Sequence, residues 1–444
     1  MPHAPCLMPH AYAHAKESEI FDTSPRVRER APEPPQRSVV RQRPSPHAPP
    51  VGTPGPRRSR TPRFGRPPLP LRPEDREVLW LYLLTRIGIW TTAYCTRWVF
   101  PSGGDSRTPA PVLAPFQHWD WGHYLHIARD GYFPGQAGPW QSDWDNREAF
   151  FPGFPLLLRV VHTVLPYWTP AGLLISFIAG AVAVLALARI ARLYVPDTSA
   201  GRRTVLFFLL SPCAIFLSVG YTEALFLAFA LPAWLAAQRR NWALAATLTA
   251  LATSVRISGL FLAAAIALHF TLTARTRRDW RALPWLALPA LPAVLYSWYL
   301  QAHTGDWMSW KHAQERGWFR TFHTPWEAFA HTWHSAFGHS QTTGYAFMFQ
   351  AELLAMFVGL FLLGLLICQR RWPEAFYIGL SLWALGTSYW YMSIPRASLL
   401  WWPLWITLAG WSLRTPRIKN VYLCLVAPVT TVFAVTFLSG HWAG

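Results

Sequence analysis

From Glu77 to its end the chain alternates long apolar runs with short polar stretches. The runs are about 17–22 residues long, the length a helix needs to cross the hydrocarbon core of a bilayer. Inside that core every backbone N–H and C=O must be paired internally, so such runs are helices or closed-barrel strands. They are too long and too continuous for the alternation of barrel strands. The pattern predicts an all-α polytopic membrane protein with about 11 transmembrane helices, within a range of about 10–13. The spans fall at 77–100, 170–190, 203–219, 222–238, 241–254, 257–273, 282–302, 349–368, 373–391, 398–413 and 420–438. The region 241–273 also reads as one long span plus a re-entrant piece.

Phe150–Leu165 is apolar but short, and Pro152, Gly153 and Pro155 interrupt it. Loop charge decides how to place it. If it does not cross, Arg189 to Arg203, Arg239–Arg240, Arg275 to Arg281, Arg370–Arg371 and Arg414 to Lys419 share one side. The positive-inside rule makes that side cytoplasmic. If it crosses, all of them move outside. The first arrangement is preferred. It puts the N-terminus in the cytoplasm, large extracytoplasmic loops at 101–149 and 303–348, and the protein in the plasma membrane.

Composition sharpens this picture. Of 444 residues, 52% are hydrophobic and 14% are charged, which argues against a string of soluble domains. A net charge of +18 would ordinarily suggest nucleic acid or an anionic surface. Here the Arg residues lie mostly in the N-terminal tail and the short loops, so they signal orientation and no nucleic-acid partner is expected. Residues 1–76 are rich in Pro, Arg, Ser and His, and are expected to be a disordered cytoplasmic tail ahead of a membrane domain at 77–444. Translation starting downstream of Met1 is the alternative. The five Cys are scattered without a CxxC spacing, so neither a metal site nor a disulfide framework is expected. No P-loop, HExxH, GxSxG or Rossmann glycine pattern occurs, and no cofactor is expected.

The chemistry centres on Phe116–Phe133, FQHWDWGHYLHIARDGYF. Asp120 stands between Trp119 and Trp121, rings that suit a membrane–water interface. It is the candidate catalytic carboxylate; a helix-capping Asp in an aromatic surface loop is the plainer reading. Asp143, Asp145 and Glu148, in the same loop, are the fallback carboxylates. Under the preferred topology the outer ends also hold Glu223 in GYTEA, Arg256 in TSVRISG, Lys311 and His312 in TGDWMSWKHAQERGW, and Arg396 in SIPRAS. Each has a simpler role available. Glu223 can cap a helix N-terminus, Arg256 can snorkel, and Lys311–His312 can be solvated. Together, a carboxylate among cations suits a phosphate-bearing substrate at the membrane surface. Arg86, inside the first span, is expected to face a partner or a cavity.

HWDWGHYLHIARDGYF followed by AFFPGFPLLLRVV resembles the first-loop signature of the PIG-V type mannosyltransferases, glycosyltransferases of the GT-C class. SPCAIFLSVGYTEALF, TSVRISGLFLA, TGDWMSWKHAQERGW and PRASLLWWPLWITLAG extend the resemblance in order from Glu77 to Gly410. It implies a GT-C-like bundle and metal-independent, inverting transfer of mannose, or another hexose, from a polyprenyl-phosphate carrier. Transfer would occur on the extracytoplasmic face, to a glycolipid or glycan acceptor in the cell envelope. The Arg-rich chain points to a bacterial member. Asp120 matches the Asp of the family's WD pair and would be the general base. Glu223 and Arg256 match an acidic and a basic family position, and Arg396 matches an Arg although Ala397 replaces the aromatic that often follows it. Trp119, His123, Tyr124, Lys311 and His312 complete the expected substrate-binding set. A partner subunit, which some family members require, stays open. A polytopic transporter or flippase and a non-catalytic scaffold are the alternatives. The first calls for an internal repeat and the second for Asp120, Arg256 and Arg396 lying far apart.

Overall fold

The computed structural model describes residues 72–100, 108–134 and 146–444. Nearly all of the expected tail, and Asp143 and Asp145, lie outside the described residues. Regular structure among the described residues is entirely helical. In chain order the helices are α1 (Pro73–Val99), α2 (Asp120–Asp130), α3 (Gly153–His162), α4 (Trp168–Tyr194), α5 (Ala200–Leu209), α6 (Thr222–Gln238), α7 (Trp242–Val255), α8 (Gly259–Thr273), α9 (Arg277–Trp280), α10 (Leu291–Thr304), α11 (Ser309–Trp318), α12 (Pro325–Phe337), α13 (Thr343–Cys368), α14 (Trp372–Gly386), α15 (Ile394–Ala397), α16 (Trp402–Arg414) and α17 (Arg417–Leu438).

Each expected span contains a helix, but not always a continuous one. Four helical segments are long and apolar enough to cross a membrane: Trp168–Tyr194, Leu283–Thr304, Thr343–Cys368 and Arg417–Leu438. In the expected span 203–219, α5 stops at Leu209 and a short 3₁₀ turn follows at Ala214–Leu217. Pro212 explains the stop, because a proline pushes the residue before it out of the helical region. Phe150–Leu165 yields only the ten residues of α3. That is about 15 Å of helix, half the thickness of the hydrocarbon core.

The two ends of the bundle differ in kind. At one end Asp75, buried at the start of α1, pairs with Arg189 and Arg192 of α4 at 3.0 and 3.2 Å. Arg202 meets Glu77 at 3.1 Å, and Arg371 meets Glu374 at 3.0 Å. The basic loops around α4 and α14 therefore collect where α1 begins. Asp120 and α2 lie at the other end of α4, where Gln117 donates to Thr169.

α6 runs through the centre, and its Ala- and Leu-rich sequence is buried on every side, as expected of a core helix. α2 buries Trp121, Tyr124, Ile127 and Ala128, the one-face spacing of an amphipathic helix. Arg159 and Arg147 donate to the carbonyls of Ala128 and Gly131 at its C-terminal end, where cations are favoured. Trp121 is seated where α4 and the loop before α6 carry no side chain. A Cβ on Gly172 would lie 2.5 Å from its indole, and one on Gly220 would lie 2.4 Å away. Gly220→Ala is therefore expected to destabilise the protein by about 1–3 kcal/mol through overpacking and to shift Asp120, the residue beside Trp121. Thermal unfolding in detergent checks the first effect, and an unchanged melting profile would refute it.

Candidate active site

A cavity of about 400 Å³ opens at the α2 end of the bundle. Its polar lining includes Asp120, Arg256, Arg320 and Arg396, and its aromatic lining includes Trp119, Tyr124, Tyr221 and Trp318. Asp120 is the only side-chain carboxylate among these lining residues.

Asp120 opens α2 directly after Trp119, whose backbone has φ 55° and ψ −123°. A bulky residue at positive φ is strained by about 1–3 kcal/mol, and such strain concentrates at functional sites. The Trp119 indole donates to the His441 carbonyl at 3.2 Å, which ties the turn to the segment after α17. Arg396 sits in α15, a single helical turn that follows Ser393, itself at φ 65°. The two N–H groups that open this turn, from Ser393 and Ile394, donate to the buried carboxylate of Glu352 at 2.6 and 2.8 Å. Glu352 of α13 thus fixes the backbone that carries Arg396.

Arg396 links two carboxylates. Its Nη1 donates to Asp120 Oδ2 at 2.7 Å and its Nε to Glu223 Oε1 at 2.6 Å. The guanidinium also lies over the rings of Phe216 and Tyr221, 4.6 and 4.8 Å from their centroids. Burial works against its charge, but Glu223 and Asp120 outweigh burial and hold it well above the usual arginine range. Arg256 donates from Nη1 to Glu223 Oε1 and, at 2.8 Å, to Thr222 Oγ1. Glu223 is fully buried and sits behind the cavity wall, where it positions both arginines. Asp120 Oδ1 has no hydrogen-bond partner among the described residues and belongs to a residue facing the cavity. Burial, followed by the charge of Asp120, pushes the phenols of Tyr124 and Tyr221 up, so both stay neutral hydrogen-bonding groups. Tyr221 donates to the His118 carbonyl at 2.7 Å.

The structure brings Trp119, Asp120, Tyr124, Glu223, Arg256 and Arg396 to one place. His123 stacks on Phe150, with centroids 4.8 Å apart, beside the cavity. Lys311 and His312 stand apart from it. Lys311 pairs with Glu315 at 3.1 Å and His312 with Asp306 at 2.6 Å, and both are half-exposed. The phase of α11 and a pairing along it are the reasons. Gln314, Gly317 and Trp318 line the cavity, and helical spacing puts His312 on the opposite face, while Lys311, a turn before Gln314, is drawn to Glu315 instead. Glu148 is occupied by Arg316 at 2.7 Å.

Arg320 and Glu352 were not among the residues singled out from the sequence. Arg320 lines the cavity, yet it donates one long hydrogen bond, 3.4 Å, to the Met392 carbonyl, and it forms no ion pair among the described residues. Burial draws its guanidinium down to about 10, opposed by Glu352, which leaves it charged at neutral pH. The signal for Glu352 was present: a lone carboxylate in a long apolar run marks a functional position.

Comparison with known proteins follows this geometry. Residues 108–278 match the model of the Mannosyltransferase (PIG-V) family. The chain is 31% identical over 216 residues to GPI alpha-1,6-mannosyltransferase 2 of Mus musculus, covering 45% of this chain and 41% of that protein. It is 33% identical over 172 residues to the Homo sapiens protein of the same name, covering 36% and 32%. The chain thus spans well under half the length of these relatives. Among solved structures, ArnT from Cupriavidus metallidurans bound to undecaprenyl phosphate aligns over 81% of this chain and 69% of its own, at 15% identity and TM-score 0.44. An Archaeoglobus fulgidus oligosaccharyltransferase aligns over 81% and 53%, at 12% identity and TM-score 0.42. The PIG-V resemblance read from short motifs therefore extends across a continuous stretch that contains Asp120, Glu223 and Arg256.

Proposed function

We propose that this chain, a multi-pass membrane protein similar to PIG-V mannosyltransferases, is a membrane glycosyltransferase. It moves mannose, or another hexose, from a polyprenyl-phosphate carrier to a lipid-linked or cell-envelope hydroxyl. The observation that carries the reading is a cavity lined by one side-chain carboxylate and three guanidinium groups. The carboxylate suits proton abstraction and the cations suit a departing phosphate.

In the proposed reaction Arg396 holds Asp120 by Oδ2 and leaves Oδ1 to take the proton of the acceptor hydroxyl. The acceptor oxygen attacks C1 of the sugar. The C1–O bond to phosphate breaks, and its electron pair leaves with the phosphate. A double displacement would need a second carboxylate facing the first across the sugar, about 5 Å away in glycosidases. A single side-chain carboxylate among the described lining residues supports direct, inverting displacement, and a β-linked donor then gives an α-mannoside. Trp119, Tyr124 and Trp318 offer apolar faces to the sugar and carrier. Glu223 acts through Arg256 and Arg396. The scaffold alternative called for Asp120, Arg256 and Arg396 to lie far apart, whereas all three line this cavity.

The test is transfer. Purified protein in nanodiscs, given radiolabelled polyprenyl-phosphate-mannose and a membrane lipid extract, should move label to a new lipid or polymer. Release of free mannose alone, or no consumption of donor across a panel of polyprenyl-phosphate hexoses, would refute the reading.

Arg320 is the lining cation freest to meet the donor phosphate, because no carboxylate among the described residues pairs with it. A charge-assisted hydrogen bond is worth about 1.5–3 kcal/mol, so Arg320→Met should weaken transfer at low donor concentration by about 10–150-fold. Thermal stability should change little, since no ion pair is lost. Titrating the donor checks this. An unchanged KM would remove Arg320 from the site.

A further inference from the structure

Arg86 lies midway along α1, outside the reaction cavity. It is 5% exposed. Its Nη1 donates to Ser218 Oγ, and its guanidinium lies over the Tyr82 ring, 4.9 Å from the centroid. Its Nε and Nη2 are buried and have no hydrogen-bond partner, and it forms no ion pair among the described residues. A guanidinium keeps its charge in proteins, and a buried charge without a counter-ion is costly. Arg86 therefore lacks an anion.

The surroundings indicate which anion fits. Arg86 lines a second cavity, of about 620 Å³, between α1 and the start of α4. Apart from Arg86, Ser218 and Thr91 its walls are apolar and aromatic, with Trp80, Leu83, Trp90 and Phe177 among them. Trp80 is 64% exposed and Trp90 42%, on a helix read as crossing the bilayer. The walls suit a hydrocarbon chain, and a small soluble anion has nothing to hold it there. The unpaired Nε–Nη2 edge is the side of a guanidinium that binds an oxyanion in bidentate fashion.

We propose that this groove binds a phosphate-bearing lipid. Its head would sit at Arg86 beside Ser218, and its chain would run along Leu83, Ile87 and Trp90. The Ser218 loop also supplies Phe216 and Tyr221 to the reaction cavity, so one loop borders both sites. The proposal stands whether or not the chain transfers a sugar.

Photocrosslinking tests it on the full chain in nanodiscs. A diazirine-bearing phosphatidic acid is compared with a diacylglycerol carrying the same chain and diazirine, and adducts are mapped by mass spectrometry. Adducts on residues 80–94 and 173–177 should exceed those of the diacylglycerol by at least about tenfold. Arg86→Leu should abolish the excess and Arg86→Lys should keep part of it. Should Arg86→Leu fail to fold, Leu83→Trp, which fills the groove and leaves Arg86 in place, should cut the labelling. Inorganic phosphate should not displace the lipid. Equal labelling by both lipids, or an excess that survives Arg86→Leu or Leu83→Trp, would overturn the proposal. So would displacement by inorganic phosphate, which would mark a free-anion site, or crosslinks to a second copy across α1.

Discussion

Asp120→Asn is expected to lower sugar transfer by about 10²–10⁴-fold, the usual contribution of a general base, while leaving the bundle folded. The two parts of this expectation rest on different atoms. Asn has the same shape and can still accept the Arg396 Nη1–H through its amide oxygen, so the 2.7 Å contact survives in a weaker form. Arg396 also keeps Glu223. What disappears is the basic oxygen facing the cavity. The Asn variant should therefore bind the donor, melt close to wild type and fail at transfer. Radiolabelled transfer run beside wild type checks this, with donor binding measured on the same samples. Full transfer by a folded Asn variant would assign the base to another group. Glu148 is a poor substitute, since Arg316 already holds it and it does not line the cavity. Asp143 or Asp145 would then be examined.

How far the site was legible in the sequence depended on the range of the information. Hydropathy is local, so the apolar helical segments could be read directly, and loop charge then put Asp120, Glu223, Arg256 and Arg396 at the same end. That step needed only the parity of crossings. Helix phase was a different matter. The run TGDWMSWKHAQERGW shows its charges but not which face is buried, because the hydrogen bonds that anchor α11, from Gln314 and Arg316, reach another segment at Ala149 and Asn146. Lys311 and His312 stand out by charge, but their own neighbours Glu315 and Asp306 hold them outside the cavity. Arg320 and Glu352 depend on contacts across more than thirty residues of chain, Arg320 with Met392 and Glu352 with Ser393 and Ile394. No spacing rule encodes such pairings. The break after α5 was legible in Pro212 and was overridden by the apolar run around it. The positive φ of Trp119 was not, since no residue type there signals it.

Arg396→Met is expected to give the largest combined loss: about 3–5 kcal/mol of stability, because it removes one partner of a buried ion-pair network, together with transfer. Among the described residues only Arg396 is bonded to both Asp120 and Glu223. Without it Glu223 keeps Arg256 alone, and its buried Oε2 already lacks a partner. Asp120 loses the contact that orients it. A loss of activity in this variant is ambiguous, since a loosened bundle also fails to react, and a second substitution separates the two causes. Replacing both partners of a buried ion pair with neutral groups is often close to neutral for stability. Arg396→Met combined with Glu223→Gln should therefore recover a substantial part of the lost stability, because the buried charge that only Arg256 still offsets is gone. It should recover no transfer, because Asp120 still lacks its anchor and the leaving phosphate has lost one of its cations. Thermal inactivation rates in detergent and transfer in nanodiscs, measured on the single and double variants, form a cycle whose coupling energy reports the pair. If stability and transfer return together, the network serves packing only. If stability returns alone, Arg396 acts on the reacting groups themselves, and Glu223 is present to keep that arginine charged and in place.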